Sequence, residues 1–265
     1  MEHLNDLVIH DEPPPQQDNR FNDIKPHNED LDEDFNLQEE DLLNPLDLSK
    51  PGNVMLFVGS QGKGKTNGVR YCLLKHSVDI KLYELILVFT QTKFDGEYDF
   101  VPDNMVIEGY QQPVLKAFLK TLSKQIDKKS GKKAPRNAIV FDDLIGLLNK
   151  HDKFLINFFG TIRHFSTDVY LPVQHLNTGS STILRNITTH AFMFNSKQFN
   201  TIKSLYENYG LLFENINEFK KLFFEITGQP FVCMLYLQQE DDIAKNYIVT
   251  KFPDMSKFEG FQLKF

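Results

Sequence analysis

The chain of 265 residues has no tryptophan and only two cysteines, Cys72 and Cys233, far apart and without Cys or His partners at metal-ligand spacing. A disulfide framework and a zinc knuckle are therefore not indicated, and a reducing compartment is expected. No window approaches the roughly 20 apolar residues that a membrane-spanning helix needs. The first residues, Met1-Glu2-His3, have acidic rather than basic flanks, so no secretory signal is read there. These absences predict a soluble, intracellular protein with no membrane partner. What is present is ordinary for a globular chain: 41% hydrophobic and 25% charged residues, which excludes a wholly disordered or collagenous protein.

Basic residues are scarce at the start. Residues 1–50 hold 15 Asp/Glu against 3 Lys/Arg, a net charge of −12, which leaves 26 Lys/Arg and 21 Asp/Glu, a net +5, in residues 51–265. With Pro13-Pro14-Pro15, Pro26, Pro45 and the acidic run from Glu29 to Asp34, the first segment buries too little apolar surface to offset its ordering entropy. It is read as a disordered acidic arm, either a solubilising extension or an arm that competes with nucleic acid for the basic body or docks a partner. The turn signal Ser49-Lys50-Pro51-Gly52 closes it, so the chain divides into an arm, 1–50, and one folded domain, 51–265.

The domain opens with an apolar run, Val54-Met55-Leu56-Phe57-Val58, that leads directly into Gly59-Ser60-Gln61-Gly62-Lys63-Gly64-Lys65-Thr66. This is a complete Walker A pattern in its required setting of strand, loop and helix. Gly59, Gly62 and Gly64 let the backbone curl so that its amides face phosphates, at the positive end of the helix that starts near Lys65. Lys65 is expected to reach the β- and γ-phosphates of ATP and Thr66 to hold Mg²⁺.

A second strand, Asn137-Ala138-Ile139-Val140-Phe141, ends in Asp142-Asp143. Asp142 is assigned to the Mg²⁺ shell and Asp143 to positioning or deprotonating the attacking water. Asp143-Leu144-Ile145-Gly146 and Thr92-Lys93-Phe94-Asp95 imitate GTPase elements, but in the wrong order. Thr167 to Gln174 reads as another strand with a neutral amide at its tip, where Gln174 can bond the γ-phosphate or the attacking water without adding charge. Arg163-His164 precedes that strand and Arg185-Asn186 follows it, ahead of the strand Ala191-Phe192-Met193-Phe194. Either arginine is a candidate for stabilising phosphoryl-transfer charge from a neighbouring subunit, and either could instead be a surface arginine.

This series of motifs resembles the FtsK-HerA branch of P-loop ATPases, and within it the poxvirus-type genome packaging ATPases of large DNA viruses, virophages and related elements. The resemblance covers about residues 50–200. It implies a three-layer α/β, RecA-like core with a mostly parallel sheet, and ATP hydrolysis coupled to translocation of double-stranded DNA. It also implies a homo-oligomeric ring, possible capsid partners, and action in the virion or at a viral assembly site. The family's strand-end sensor carries over to Gln174, and its trans-acting arginine to Arg163 or Arg185. Asp143 departs from the family's commoner Glu, and the family gives no role for the acidic arm.

Between Lys124 and Arg136 lie six basic residues and one acidic, with Gly131 and Pro135, a composition suited to phosphate contact without base readout or equally to a solvated loop. Beyond residue 197, Ile202–Tyr209 and Asn217–Ile226 are predicted helices, and Phe231–Leu237 and Tyr247–Phe252 strands. Most of the late phenylalanines, Phe213, Phe219, Phe223, Phe224, Phe258, Phe261 and Phe265, are expected in the core. Two other functions use the same nucleotide site: a helicase or transposition helper, and a slowly hydrolysing, nucleotide-gated assembly adaptor.

Overall fold

In a computed structural model, residues 48–78, 81–126, 134–144, 153–176, 184–238, 246–255 and 263 are described. The acidic arm up to residue 47, the middle of the basic loop, and Phe258, Phe261 and Phe265 lie outside them. Leu48 is buried, and the Lys50 carbonyl accepts hydrogen bonds from Asn53 and Arg136, so packing reaches into the segment assigned to the arm.

Eight strands form a single sheet in the order β3-β2-β4-β5-β1-β6-β7-β8. They are β1 (Val54–Val58), β2 (Leu85–Thr90), β3 (Val106–Glu108), β4 (Asn137–Asp142), β5 (Thr167–Val173), β6 (His190–Phe194), β7 (Val232–Leu237) and β8 (Tyr247–Lys251). All pairings from β3 to β6 are parallel; β7 and β8 extend the sheet antiparallel. The five strands β1, β2, β4, β5 and β6 are buried at every position, as continuous apolar runs covered on both faces should be.

The helices α1 (Lys65–Val78), α2 (Gln112–Gln125), α3 (Lys153–Thr161), α4 (Phe199–Tyr209) and α5 (Ile216–Thr227) complete the α/β architecture. Aromatic contacts separate its layers. On one face Phe57 stacks on Phe192 and lies against Tyr170, and α1 covers them with Gly68 and His76. On the other face Phe89 stacks on Phe141, which meets Phe158 and Phe159 of α3. Lys116 of α2 lies over the Phe154 ring of α3, so α2 and α3 share that second face. Of the late phenylalanines, Phe213, Phe219 and Phe223 are buried as expected, whereas Phe224 is exposed.

A buried polar hub fastens the N-terminal edge of the sheet. Asp168 Oδ1 accepts from the backbone N–H groups of Gly52 and Asn53 and from Asn53 Nδ2; Oδ2 accepts from Tyr83 and from Arg136 Nε and Nη2 at 2.9 and 2.7 Å. The chain continues through Tyr83 and Tyr170 hydroxyls to His76 Nδ1 in the last turn of α1. Arg136, counted in sequence among the basic loop residues, is thus committed to a carboxylate that is fully buried.

Candidate active site

The phosphate-binding loop runs from the end of β1 to the start of α1. The first helical hydrogen bond, from Gly68 N–H to the Gly64 carbonyl, leaves the preceding amides without intrahelical partners, and no acidic residue in the first turn offsets the positive end. Two glycines are dictated by the neighbours. A Cβ on Gly59 would sit 2.7 Å from Phe194 Cβ, and Gly64 combines φ +97° with 2.9 Å to the Phe231 ring. Lys65 is buried and its Nζ donates to the Ser60 carbonyl at 3.2 Å; Thr66 is half-buried; Gln61, Gly62 and Lys63 are exposed.

The strand ending in Asp142 is not adjacent to β1. Strand β5 lies between them, paired to β1 on one side and β4 on the other, and its tip delivers Gln174 between the loop and the two carboxylates. Gln174 Nε2 donates to Asp143 Oδ2 at 2.7 Å, and the Asp143 N–H donates to the Pro172 carbonyl at 3.1 Å. Asp143 adopts φ +51°, a left-handed conformation uncommon outside glycine, asparagine and aspartate, which turns the chain at the strand end. Asp142 is buried and accepts from Thr90 Oγ1 at 3.4 Å across the β2–β4 register.

Burial, reinforced by Asp143 and Glu97, pushes the Asp142 carboxyl up to about 7; Tyr98 and Lys65 act in the opposite direction. The buried Tyr98 hydroxyl lies near enough to Asp142 to favour the charged form of that carboxyl. Burial likewise draws the Lys65 ammonium below its ordinary range, while Asp143, Asp142 and Glu97 pull it back. One lysine therefore stands among three carboxylates, a charge arrangement that a polyphosphate with a divalent cation would complete. The donor set fits Mg²⁺ of the usual nucleotide kind, held by one hydroxyl, one carboxylate and the phosphates themselves. No cluster of three His, Cys, Asp or Glu suited to a metal occurs among the described residues.

Four side chains here escaped the sequence reading. Thr90, Glu97 and Tyr98 come from β2 and the turn after it, and Ser196 follows β6, where its Oγ accepts from Ser60 Oγ at 3.2 Å. The legible signal was positional: Thr90, Asp142, Gln174 and Ser196 all stand at or just beyond the C-terminal end of a parallel strand. Glu97 and Tyr98 had no such signal. Asn67, next to Thr66, is held by the chain after β8, donating to the Pro253 carbonyl and accepting from Met255 N–H, each at 2.7 Å.

The two candidate arginines are not part of this group. Arg163 lies in the turn before β5, its backbone against Gly52, and Arg185 lies just before β6. Because β1, β5 and β6 are parallel, both occupy the sheet edge opposite the phosphate loop, and both are exposed. The start of β4, where the basic loop ends at Pro135 and Arg136, is on that same edge.

Comparison with known proteins agrees with this architecture. The family model described as Poxvirus A32 protein matches residues 44–220. No functionally curated protein matches the sequence. Among solved structures, the genome packaging NTPase B204 from Sulfolobus turreted icosahedral virus 2, in complex with AMPPCP, is similar at a TM-score of 0.52 and 11% identity, over 76% of this chain and 98% of that one. The same NTPase in complex with sulfate gives a TM-score of 0.53, 12% identity, and 77% and 98% coverage. The cytoplasmic domain of the Type VII secretion ATPase EccC from Thermomonospora curvata gives 0.53 and 16% identity, over 77% of this chain and 26% of that chain. At these identities the likeness is one of fold.

Proposed function

The chain belongs to the Poxvirus A32 protein family, and from that premise we propose that it is the ATPase of a viral genome packaging machine, hydrolysing Mg-ATP to translocate double-stranded DNA as a homo-oligomeric ring. The observation that carries the reading is the convergence of the phosphate loop, Asp142-Asp143 and Gln174 at one edge of a parallel sheet, with β5 interposed.

In this site the loop amides and Lys65 hold the β- and γ-phosphates. Thr66 and Asp142 would hold Mg²⁺, which when bound draws negative charge off the phosphates. Gln174 fixes the Asp143 carboxylate by its 2.7 Å hydrogen bond. Asp143 then orients the water and takes its proton as the oxygen bonds the γ-phosphorus and the bond to the β,γ-bridging oxygen breaks. Ser196 and Asn195 brace the loop from β6, through Ser60 Oγ and through the Ser60 N–H, which donates to the Asn195 carbonyl at 3.1 Å.

The position of Arg163 and Arg185 supports a ring. Neither reaches its own phosphate loop, but a head-to-tail contact sets the basic edge of one subunit against the nucleotide edge of the next, and such a heterologous contact forms a ring where its rotation closes. The segment from Lys124 to Arg136, whose middle lies outside the described residues, has a basic composition that suits sequence-independent contact with DNA phosphates.

The test is steady-state ATP hydrolysis with and without double-stranded DNA at two salt concentrations, with Lys65→Ala as the blank. Turnover stimulated by duplex DNA, fading as salt rises and absent from the blank, is the expected result. Turnover indifferent to DNA would remove the translocase reading and leave a partner-activated ATPase or a nucleotide-gated adaptor.

A further inference from the structure

The last two strands bring a further aromatic side chain to the nucleotide edge. Because β7 runs antiparallel to β6, its beginning stands at the edge where β1, β5 and β6 end, on the side of the phosphate loop away from Gln174 and the two carboxylates. Phe231, immediately before β7, takes φ +60°, a left-handed conformation that is an outlier for a bulky side chain. Neighbouring bonds hold it there: the Phe231 carbonyl accepts from Phe252 N–H at 3.0 Å, and Val232 N–H donates to the Gln229 carbonyl at 3.4 Å. Glycine would take this φ without strain. A phenylalanine kept in it is local strain of the kind that gathers at ligand sites.

The ring lies against the phosphate loop itself. A Cβ on Gly64 would sit 2.9 Å from Phe231 Cδ1 and 3.5 Å from its Cα, so Phe231 touches the loop one residue before Lys65. Phe194 and Phe252, which pack on the same glycines Gly64 and Gly68, are fully buried, whereas Phe231 is only partly so, and Gly228, Gln229 and Pro230 ahead of it are exposed. The Phe231 ring is therefore not spent on the core. A second piece of chain is tied down beside it: Asn67 of α1 donates to the Pro253 carbonyl and accepts from Met255 N–H, each at 2.7 Å, which fastens the segment after β8 to the first turn of the helix, next to Thr66.

A nucleoside triphosphate has two unlike ends. Its γ-phosphate must face Asp143 and Gln174 at the tips of β4 and β5, so its base leaves the loop on the opposite side, over the tips of β6 and β7, where Phe231 stands. A planar base takes up an aromatic face by stacking. We propose that Phe231 is the base-binding residue of the ATPase, stacking on the purine of ATP, with the segment from Pro253 to Met255, held by Asn67, as the neighbouring wall of the same subsite. The C-terminal strands β7 and β8 thus contribute directly to nucleotide binding rather than only widening the sheet. This inference rests on the ATPase reading alone and not on DNA translocation.

The experiment compares binding of AMPPCP with binding of inorganic tripolyphosphate, which has no base, both with Mg²⁺. Phe231→Leu keeps apolar bulk against Gly64 but has no aromatic face: its affinity for AMPPCP should fall about tenfold while its affinity for tripolyphosphate stays within about twofold of wild type. Because the chain has no tryptophan, Phe231→Trp places a unique fluorophore at the subsite and keeps the aromatic face. Its emission should be quenched by AMPPCP and unchanged by tripolyphosphate. Equal losses of both ligands in Phe231→Leu overturn the proposal, since Phe231 would then only prop the phosphate loop. So does an AMPPCP affinity within twofold of wild type, or a tryptophan emission that responds alike to the two ligands. A wild type that binds neither ligand overturns the ATPase reading itself, and turnover indifferent to DNA bears on the packaging reading and not on Phe231.

Discussion

Asp142 shows how a single residue sets stability against activity. Its carboxyl lies at about 7, above the ordinary 3.8, because burial and two neighbouring carboxylates disfavour the charged form. The sign follows: the folded chain keeps a proton that the unfolded chain has released between pH 3.8 and 7, so this residue favours the fold most in acid and progressively less as pH rises through that window. Asp142→Asn, which retains an acceptor for Thr90, should therefore raise stability at pH 7.5 by roughly 1–3 kcal/mol while abolishing Mg-ATP hydrolysis. Chemical denaturation and turnover measured on the same preparation check it; a destabilised variant would contradict it. Asp143 illustrates the complementary case, an exposed carboxylate placed by a left-handed backbone and one strong hydrogen bond rather than by burial.

At the scale of elements, α1 and β5 organise both ends of the sheet. Helix α1 presents Lys65 and Thr66 at its first turn and buries His76 near its last, where Nδ1 meets the Tyr170 hydroxyl of β5 at 3.0 Å. Burial, with Lys75, Arg136 and His190 adding to it, pushes His76 down to about 3, so it stays neutral in the fold. The unfolded chain takes up a proton near 6.5 that the folded chain refuses, and stability is lost as pH falls below that value. Between pH 7 and pH 5 the wild type should lose about 2 kcal/mol from this group alone. His76→Gln, which keeps a polar partner for Tyr170, should lose correspondingly less over the same range. Denaturant titrations of both proteins at the two pH values decide the matter, and parallel pH profiles would show that His76 is not the titrating group. On the same strand Asp168 gathers the start of β1, Tyr83 and Arg136, so the edge opposite the nucleotide is held by a buried ion pair and its satisfied hydrogen bonds.

At the scale of the whole molecule, the sheet separates two chemistries: phosphate loop, carboxylates and Gln174 at one edge, Arg163 and Arg185 at the other. If one arginine completes the site of a neighbouring subunit, its alanine variant should lower kcat at least tenfold with little change in stability, because both side chains are exposed. Mixing that variant with Lys65→Ala should then restore turnover, since some interfaces pair an intact loop with an intact arginine. Absence of recovery for both Arg163→Ala and Arg185→Ala would exclude action in trans. Among the described residues no helix is long and apolar enough to cross a membrane. Much of this was legible in the chain. The strand Val54–Val58, the loop from Gly59 to Thr66 and the helix after it follow from local rules, since an apolar run, three glycines and a helix start act within a few residues of one another. The strands ending at Asp142 and before Gln174, and the late helices, were legible for the same reason. Strand order was not, because pairing β5 between β1 and β4 depends on contacts more than 100 residues apart in the register Val54↔Val169. That order joins Gln174 to Asp143, carries both arginines away from their own loop, and commits Arg136 to Asp168. The sequence by itself determined which residues can hold a nucleotide. Only the tertiary structure decided which of them meet, because charge and hydrogen bonding act through space, and sequence separation says nothing of distance across a sheet.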